Sequence, residues 1–330
     1  MAAAPPPLAA IVGPTASGKS ALALRLARAR GGEVVSCDSL QVYRGLDIGS
    51  AKPTPEERRQ VRHHLVDVAE PEQAFSAAAY VRLAREALAE IARRGALPVV
   101  AGGTGLYLRA LLVGLFEGPS RDAPLRQRFS AIAERHGELR LHRLLAAVDP
   151  AAAGRIHPRD RVRTVRALEV YWTTRRPISE HQAATRGGLS GFRVGVFGLR
   201  PPRAKLRQSV ERRTRGMLER GLLDEVRALL ARGLSPELSP LRAIGYRQAV
   251  AVVRGELAVE AAEAAIVTET MRYAKRQMTW FRHQQPGVSW FEDPEAAYQA
   301  IIEWLDRPGA DPGGLGGPKD PPGHGRQTRP

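Results

Sequence analysis

The sequence predicts an α/β fold: a parallel sheet flanked by helices, with an arginine-rich helical domain inserted into it. Three observations carry that expectation. An apolar run at residues 8–12 leads directly into Gly13-Pro-Thr-Ala-Ser-Gly-Lys19-Ser20 and then into a helical pattern from Ala21. Short apolar runs and amphipathic stretches alternate from there to residue 116, which is the pattern of strands joined by crossover helices. Residues 117–190 are instead arginine-rich and helical in pattern, after which residues 192–199 return to strand composition and are placed to rejoin the sheet. The expected division is therefore a first core segment at 8–116, an inserted helical domain at 117–190 and a second core segment at 191–306. Residues 1–7 and the glycine- and proline-rich tail at 307–330 are expected to be disordered.

The glycine loop meets the pattern G-x-x-x-x-G-K-[ST] between a strand and a helix, so the sheet is expected to be P-loop NTPase-like. Gly13 and Gly18 let backbone N–H groups converge on anionic oxygens. Lys19 adds a point charge, the Ser20 hydroxyl can hold a magnesium ion, and the helix behind contributes its positive end. The motif specifies a phosphate site and leaves the reaction open.

The helix after the loop carries Leu22, Leu26 and Ala29 at helical spacing and stops at Gly31-Gly32. A short strand at 33–37 ends at Asp38-Ser39-Leu40-Gln41. Residues 45–54 read as loop, with Lys52 and Thr54 available to an anion. Adjacent His63 and His64 point in different directions on any regular element, so a structural role without a metal is expected. Residues 76–94 form an amphipathic helix with Val81, Leu88 and Ile91 on one face. A buried-type strand at 97–101 ends in Gly102-Gly-Thr104-Gly105 and gives way to a helix from Leu106. Ligands of parallel α/β sheets sit beyond the carboxyl ends of the strands. The glycine loop, Asp38 and Thr104 each follow a strand, so all three are expected to face one crevice.

Within the insertion, helices break at Pro150 and His157-Pro158, and Arg163 and Arg166 stand at i and i+3. That pair suits either a solvated face or a phosphate contact. A long helix is expected at 203–232, with Leu206, Val210 and Met217 as its stripe and Arg213 inside it. A guanidinium facing inward is costly unless it meets an anion, although an arginine at the stripe edge can snorkel. Residues 241–250 give a basic loop with an aromatic and then a helix, and residues 260–282 form a helix ending in basic residues among Tyr273, Trp280 and Phe281. Those aromatics fit a nucleic-acid surface or the core. A last strand at 288–291 and a closing helix at 294–305 complete the pattern.

The chain has 330 residues and a formal net charge of +16, which suggests a polyanionic partner. Charge alone does not decide this. Lysine is confined to Lys19, Lys52, Lys205, Lys275 and Lys319, while arginine abounds beside alanine and glycine, as GC-rich coding also produces. The single cysteine, Cys37, excludes an intrachain disulfide framework, fits a reducing compartment and reads as a buried strand thiol. Neither an export leader nor an apolar run long enough for a bilayer is apparent, so a soluble cytoplasmic monomer without a membrane partner is expected.

A set of motifs is more specific than the glycine loop. Asp38-Ser-Leu-Gln41-Val-Tyr43 and Ile48-Gly-Ser-Ala-Lys-Pro-Thr54 are followed by His63-His-Leu-Val-Asp67 and Gly102-Gly-Thr-Gly-Leu-Tyr107. Arg166-Ala-Leu-Glu169, Gly245-Tyr-Arg-Gln248 and Ala274-Lys-Arg-Gln277 complete the set. In this order, over about residues 8–306, the chain closely resembles the tRNA dimethylallyltransferases, the bacterial isopentenyl transferases acting on tRNA adenosine. The resemblance implies transfer of a dimethylallyl group from dimethylallyl diphosphate to the N6 amine of the adenosine beside the anticodon, position 37, with release of diphosphate. It implies that residues Gly13, Pro14, Thr15, Ala16, Ser17, Gly18, Lys19 and Ser20 cradle the diphosphate with magnesium near Ser20, without a nucleoside triphosphate. Arg213 matches the family's diphosphate-binding arginine, Asp38 its general base and Thr104 the threonine that assists at the same centre.

The same resemblance places tRNA contacts at Asp38, Ser39, Leu40, Gln41, Thr104 and Arg126. Further contacts fall at Val162, Arg163, Thr164, Val165 and Arg166, and at Arg242, Ala243, Ile244, Gly245, Tyr246 and Arg247. The target base must then be extruded from its stack, Gln41 is suited to reading the adenine edge, and the insertion grips the anticodon stem through phosphates. One departure is Thr214-Arg215-Gly216, where the family carries an aromatic-containing segment before Met217, so packing there is expected to differ. Three alternatives stand beside this reading: a small-molecule kinase with Asp38 on magnesium, an adenylate isopentenyltransferase acting on free adenine nucleotides, and a nucleic-acid binder with a vestigial loop. The basic insertion argues against the second, since a mononucleotide needs no such surface.

Overall fold

The structure is a computed structural model that describes residues 4–116, 118–119, 121–184, 187–285 and 287–307. Its strands are β1 (Pro7–Val12), β2 (Gly32–Ser36), β3 (His63–His64), β4 (Leu97–Gly102), β5 (Arg193–Leu199) and β6 (Ser289–Phe291). They pair in the order β3-β2-β4-β1-β5-β6, parallel throughout. The chain forms two compact units, one made by the residues up to Leu111 together with those from Ser190 onward, the other by Leu112–Leu189.

Helices α1 (Lys19–Arg30), α2 (Pro55–Gln60), α3 (Ala77–Arg93) and α4 (Gly105–Leu112) follow the first strands. The helical unit contains α5 (Ala123–His136), α6 (Glu138–Val148), α7 (Pro150–Arg155), α8 (Arg161–Thr174) and α9 (Ile178–Ala183). The chain then completes the sheet-bearing unit with α10 (Arg203–Glu219), α11 (Leu222–Ala231), α12 (Tyr246–Val253), α13 (Val259–Gln284) and α14 (Pro294–Asp306).

The central strand β1 is buried from Leu8 to Val12, as a strand covered on both faces must be. Leu22, Leu26, Val99, Phe197, Ile301 and Trp304 pack around it in one core. A second core gathers Leu46, Met217, Leu222, Val226, Leu229 and Tyr246. The helical unit has its own core around Phe129, Leu141, Leu145, Val165 and Leu168. No helix among the described residues is long and apolar enough to cross a membrane.

Several expectations are corrected. The single helix expected at 203–232 is two, because Gly221 adopts the left-handed φ of 94° and donates its N–H to the Leu218 carbonyl, ending α10. Pro7, expected in a disordered terminus, opens β1 opposite Arg193, whose N–H donates to the Pro6 carbonyl at 2.9 Å. The expected disorder at residues 1–3 and beyond Arg307 lies outside the described residues. On α3 the buried face is led by Tyr80 rather than Val81, with Ser76 capping the helix through a bond from the Ala79 N–H. Neither Lys52 nor Thr54 is available to an anion. Buried Lys52 donates to the Tyr43 carbonyl, Asp47 and Asp67, while Thr54 caps α2. His63 contacts the Val61 carbonyl, and His64 pairs at 2.6 Å with Glu33, which Arg94 also holds.

Candidate active site

The register brings three strand ends level. Val12 lies opposite Gly102, and Ser36 opposite Ala101, so the segments starting at Gly13, Gly103 and Cys37 emerge side by side. The close approach of β2 to β4 requires glycine at 102, where a Cβ would stand 2.0 Å from the Cys37 carbonyl oxygen. That approach is fixed by bonds from the Cys37 N–H to Ala101 and from the Thr104 N–H to Cys37, at 2.8 and 3.2 Å. The Cys37 thiol is buried here, and desolvation pushes its pKa up to about 12, which makes it an inert packing group.

Beyond these ends lies a crevice of about 760 Å³, onto which Lys19, Ser20, Asp38, Gln41, Arg213 and Tyr273 open. The expected convergence of the glycine loop with Asp38 is thus present within one unit. Arg213, one turn from Met217 on the inner side of α10, lines the same crevice and does not snorkel away. Burial and the nearby Arg220 lower its pKa, and the Asp38 carboxylate opposes them. Lys19 is buried as well. Burial and then Arg213 bring its pKa down to about 8, against the pull of Asp38. Lys19 and Arg213 share the crevice with Asp38, and Arg242 and Arg276 line it too, a net positive site that suits a polyanion.

The cradle itself is partly occupied by the protein. Lys19 Nζ donates to the Pro14 carbonyl at 3.1 Å, and the Thr15 N–H donates to Gln277 Oε1 at 2.9 Å. The Thr15 amide is thus not a phosphate donor here. The first N–H groups of α1, which follow Gly18, have no intrahelical acceptor and point out of the helix start. Ser17 Oγ is buried with no hydrogen-bond partner among the described residues. Ser20 is exposed on the crevice. Among the described residues no cluster of three or more His, Cys, Asp or Glu could hold a metal ion. The Ser20 hydroxyl on the crevice is a hard oxygen of the kind magnesium takes.

On the opposite side, Asp38 Oδ1 accepts from the Leu40 N–H at 2.8 Å and from the Gln41 N–H at 3.4 Å, an Asx turn that presents Ser39 and Leu40 to the crevice. Thr104 is set behind this turn. Its Oγ1 accepts the Ser39 N–H at 3.1 Å, so it supports the segment rather than facing the open space. Gln41 differs from expectation: its Oε1 accepts from Ser36 Oγ at 2.8 Å and its Nε2 donates to the Ala51 carbonyl at 2.9 Å. An amide so engaged braces the 48–51 loop and has little left with which to read a base.

In the stretch 242–247, Arg242, Ala243, Ile244 and Gly245 line the crevice. Tyr246 does not offer its ring to a ligand. It is fully buried against Gly49, and its hydroxyl donates to Glu225 at 2.7 Å. Arg247 is half exposed and pairs with Glu269. Of the three aromatics on α13, Phe281 is core, Trp280 packs on Gly105, and Tyr273 lines the crevice. Burial and the Asp38 charge raise the Tyr273 pKa to about 12, so it stays a neutral phenol.

The sequence reading missed two residues that organise this site. Glu225 accepts the N–H groups of Asp47, Ile48 and Gly49 and thereby shapes the loop that Gln41 braces. Gln277 was visible within the Ala274-Lys-Arg-Gln277 motif, but a buried amide has no periodic signature that announces its partners.

In the helical unit, Arg126 and Arg166 both bind the carboxylate of Glu169, which is wholly buried. Arg126 makes a fork at 2.7 and 3.0 Å, Arg166 adds a bond at 2.6 Å, and the Asp122 N–H adds one at 2.8 Å. These bonds outweigh burial and hold Glu169 at a pKa of about 2. Two guanidiniums on one carboxylate leave a net positive charge with roughly a third of each arginine side chain exposed. Val162 and Arg163 are exposed, Arg163 in loose contact with Asp160. Thr164 and Val165, expected to touch a ligand, are buried because the helical period turns them inward, Val165 into the core.

Comparison with known proteins follows the same lines. A family model described as IPP transferase matches residues 41–284. A tRNA dimethylallyltransferase of Solibacter usitatus is 50% identical over 288 residues, covering 87% of this chain and 93% of its own. One of Anaeromyxobacter dehalogenans is 50% identical over 298 residues, covering 89% and 98%. Among solved structures, the tRNA isopentenylpyrophosphate transferase of Bacillus halodurans aligns over 91% of this chain and 97% of its own, with 37% identity and a TM-score of 0.65. A eukaryotic dimethylallyltransferase acting on tRNA aligns over 91% and 80%, with 25% identity and a TM-score of 0.73. With a parallel sheet whose level strand ends carry a glycine loop and a carboxylate, with an inward arginine of α10 on the same crevice, and with relatives at half identity over most of its length, this chain belongs to the IPP transferase family.

Proposed function

We propose that the crevice transfers a dimethylallyl group from dimethylallyl diphosphate to the N6 amine of the adenosine beside the anticodon of tRNA. The observation that carries this reading is the opening of Lys19, Arg213 and Asp38 onto one crevice. An exocyclic adenine amine is a weak nucleophile, and diphosphate leaves only where its growing charge meets preorganised donors. Lys19, Arg213 and the N–H groups at the start of α1 supply those donors. The amine nitrogen bonds to the allylic carbon as the carbon–oxygen bond to diphosphate breaks, and Asp38 takes the proton the nitrogen sheds. The Ser20 hydroxyl and diphosphate oxygens are the ligands suited to magnesium, which when bound neutralises charge on the leaving group.

The base must leave its stack to reach Asp38, and the Asp38–Leu40 turn and Arg242–Gly245 wall give the extruded nucleotide its surroundings. Arg163 and the exposed flanks of Arg126 and Arg166 are offered to phosphates of the anticodon stem, where contacts position the RNA without reading it. We further propose that the protein acts in the cytoplasm, as a monomer.

The experiment is incubation of the purified protein with unmodified tRNA, dimethylallyl diphosphate and magnesium, followed by nucleoside digestion and mass spectrometry. Dimethylallyl adenosine is expected from tRNA and not from adenosine monophosphate in a parallel reaction. Prenylated mononucleotide, or phosphoryl transfer from ATP to a small acceptor, would instead support the rival readings.

A further inference from the structure

The amide of Gln277 closes a span that the sheet leaves open. The ladder between β1 and β4 has its last pair at Val12 and Gly102, just before the glycine loop and the Gly103-Thr104 turn diverge. Across that gap Gln277 Oε1 accepts the Thr15 N–H and Gln277 Nε2 donates to the Gly103 carbonyl, both at 2.9 Å. The side chain is 7% exposed, and Gly103 is so close that a Cβ there would stand 2.3 Å from Nε2. Thr104, the next residue, holds the Ser39 N–H and so the Asp38 turn. One carboxamide therefore connects the phosphate cradle to the segment that bears the carboxylate.

We infer that Gln277 is a positioning residue whose amide sets the distance between the diphosphate cradle and the Asp38–Thr104 centre. The inference rests on the reading of this crevice as a prenyl-transfer site. Displacement at the allylic carbon needs the leaving oxygen and the attacking nitrogen in line at near-contact distance, and a misplacement of about 1 Å costs about 100-fold in rate. A carboxamide meets both demands at once, with an acceptor for Thr15 and a donor for Gly103. A carboxylate of the same shape keeps the first bond and sets its charge against the Gly103 oxygen. A protonated carboxylic acid restores the second bond.

That chemistry gives the test, made on the full chain. For Gln277→Glu, kcat/KM relative to wild type is measured between about pH 5.5 and about pH 8, the range into which burial raises a carboxyl group. The charged groups lining the crevice with Gln277 are Lys19 on α1, Asp38 after β2, Arg213 on α10, Arg242 before α12 and Arg276 on α13, beside the neutral phenol of Tyr273, and they are common to both proteins, so the ratio isolates residue 277. The expected ratio is about tenfold or more below unity at the alkaline end, carried by kcat, and climbs as the pH falls. A ratio that stays at unity across this range overturns the inference.

Gln277→Met removes both bonds at similar length and is expected to lose about tenfold in kcat at every pH with tRNA affinity intact. Wild-type turnover in that variant overturns the inference whether or not the Glu variant folds. In the wild-type protein the Thr15 amide is expected to be protected from hydrogen exchange, and rapid exchange there also overturns it. A wild-type protein that prenylates no tRNA sinks the functional reading instead, and the Thr15 exchange then still decides whether the clasp exists.

Discussion

Lys19 gives the most direct handle on the cradle. The residue is 8% exposed, and burial and then the Arg213 charge bring its pKa down to about 8. A diphosphate binds the protonated form. At about pH 7 roughly nine-tenths of Lys19 carries its proton, and at about pH 9 roughly one-tenth does. The ligand does not titrate in this window, because its last phosphate ionisation lies near pH 6. The KM for dimethylallyl diphosphate is therefore expected to rise about tenfold from about pH 7 to about pH 9, equivalent to roughly 1.4 kcal/mol of binding. The effect on stability has the opposite sign. Between about pH 8 and the unperturbed value of 10.5 the unfolded chain keeps a proton that the folded chain has lost, so the free protein gains stability as the pH climbs through that window. The assay is initial-rate prenyl transfer at saturating tRNA with varied dimethylallyl diphosphate, run beside Lys19→Arg, whose guanidinium does not titrate there. A wild-type KM that stays level to about pH 9, matching the arginine variant, would refute the placement of a buried, depressed lysine against the diphosphate.

Other consequences are open to simpler measurements. Glu169 is held at about 2 by two arginines, so its contribution is complete above its ordinary value of 4.5 and is lost as the pH falls from there toward 2. That contribution is roughly 3 kcal/mol, and Glu169→Gln is expected to flatten the acid limb of the denaturation profile; an unchanged limb contradicts the cluster. Glu225→Ala strips the acceptor from three backbone N–H groups and the Tyr246 hydroxyl, with an expected loss of about 2–4 kcal/mol in urea denaturation. A loss under about 0.5 kcal/mol would show those bonds to be idle. Arg163→Ala removes an exposed cation and is expected to reduce the salt dependence of tRNA binding by about one counterion without changing kcat.

Much of the site was legible because its parts follow strands. The glycine loop, Asp38 and the Gly102–Gly105 turn each interrupt an apolar run, and in a parallel sheet such interruptions share one edge. Arg213 betrayed itself by occupying an apolar stripe. What stayed hidden was pairing across long sequence separations. Nothing local shows that Gln41 is consumed by Ser36 and Ala51, that Tyr246 serves Glu225, or that Thr15 gives its N–H to Gln277. The break at Gly221 is not legible in the pattern, because Leu222, Val226 and Leu229 resume a helical period after it. Thr164 and Val165 came in with a contiguous run, although a helix can offer a ligand only one side of such a run.

The claim on which the rest depends is that Asp38 receives the proton from the attacking amine. Asp38→Asn keeps the shape and an acceptor for the Leu40 N–H but cannot take that proton. The decisive measurement is single-turnover prenyl transfer by this variant with tRNA and dimethylallyl diphosphate both bound. The expected result is a rate about 100- to 10,000-fold below wild type, with tRNA affinity within about twofold. A rate close to wild type would contradict it.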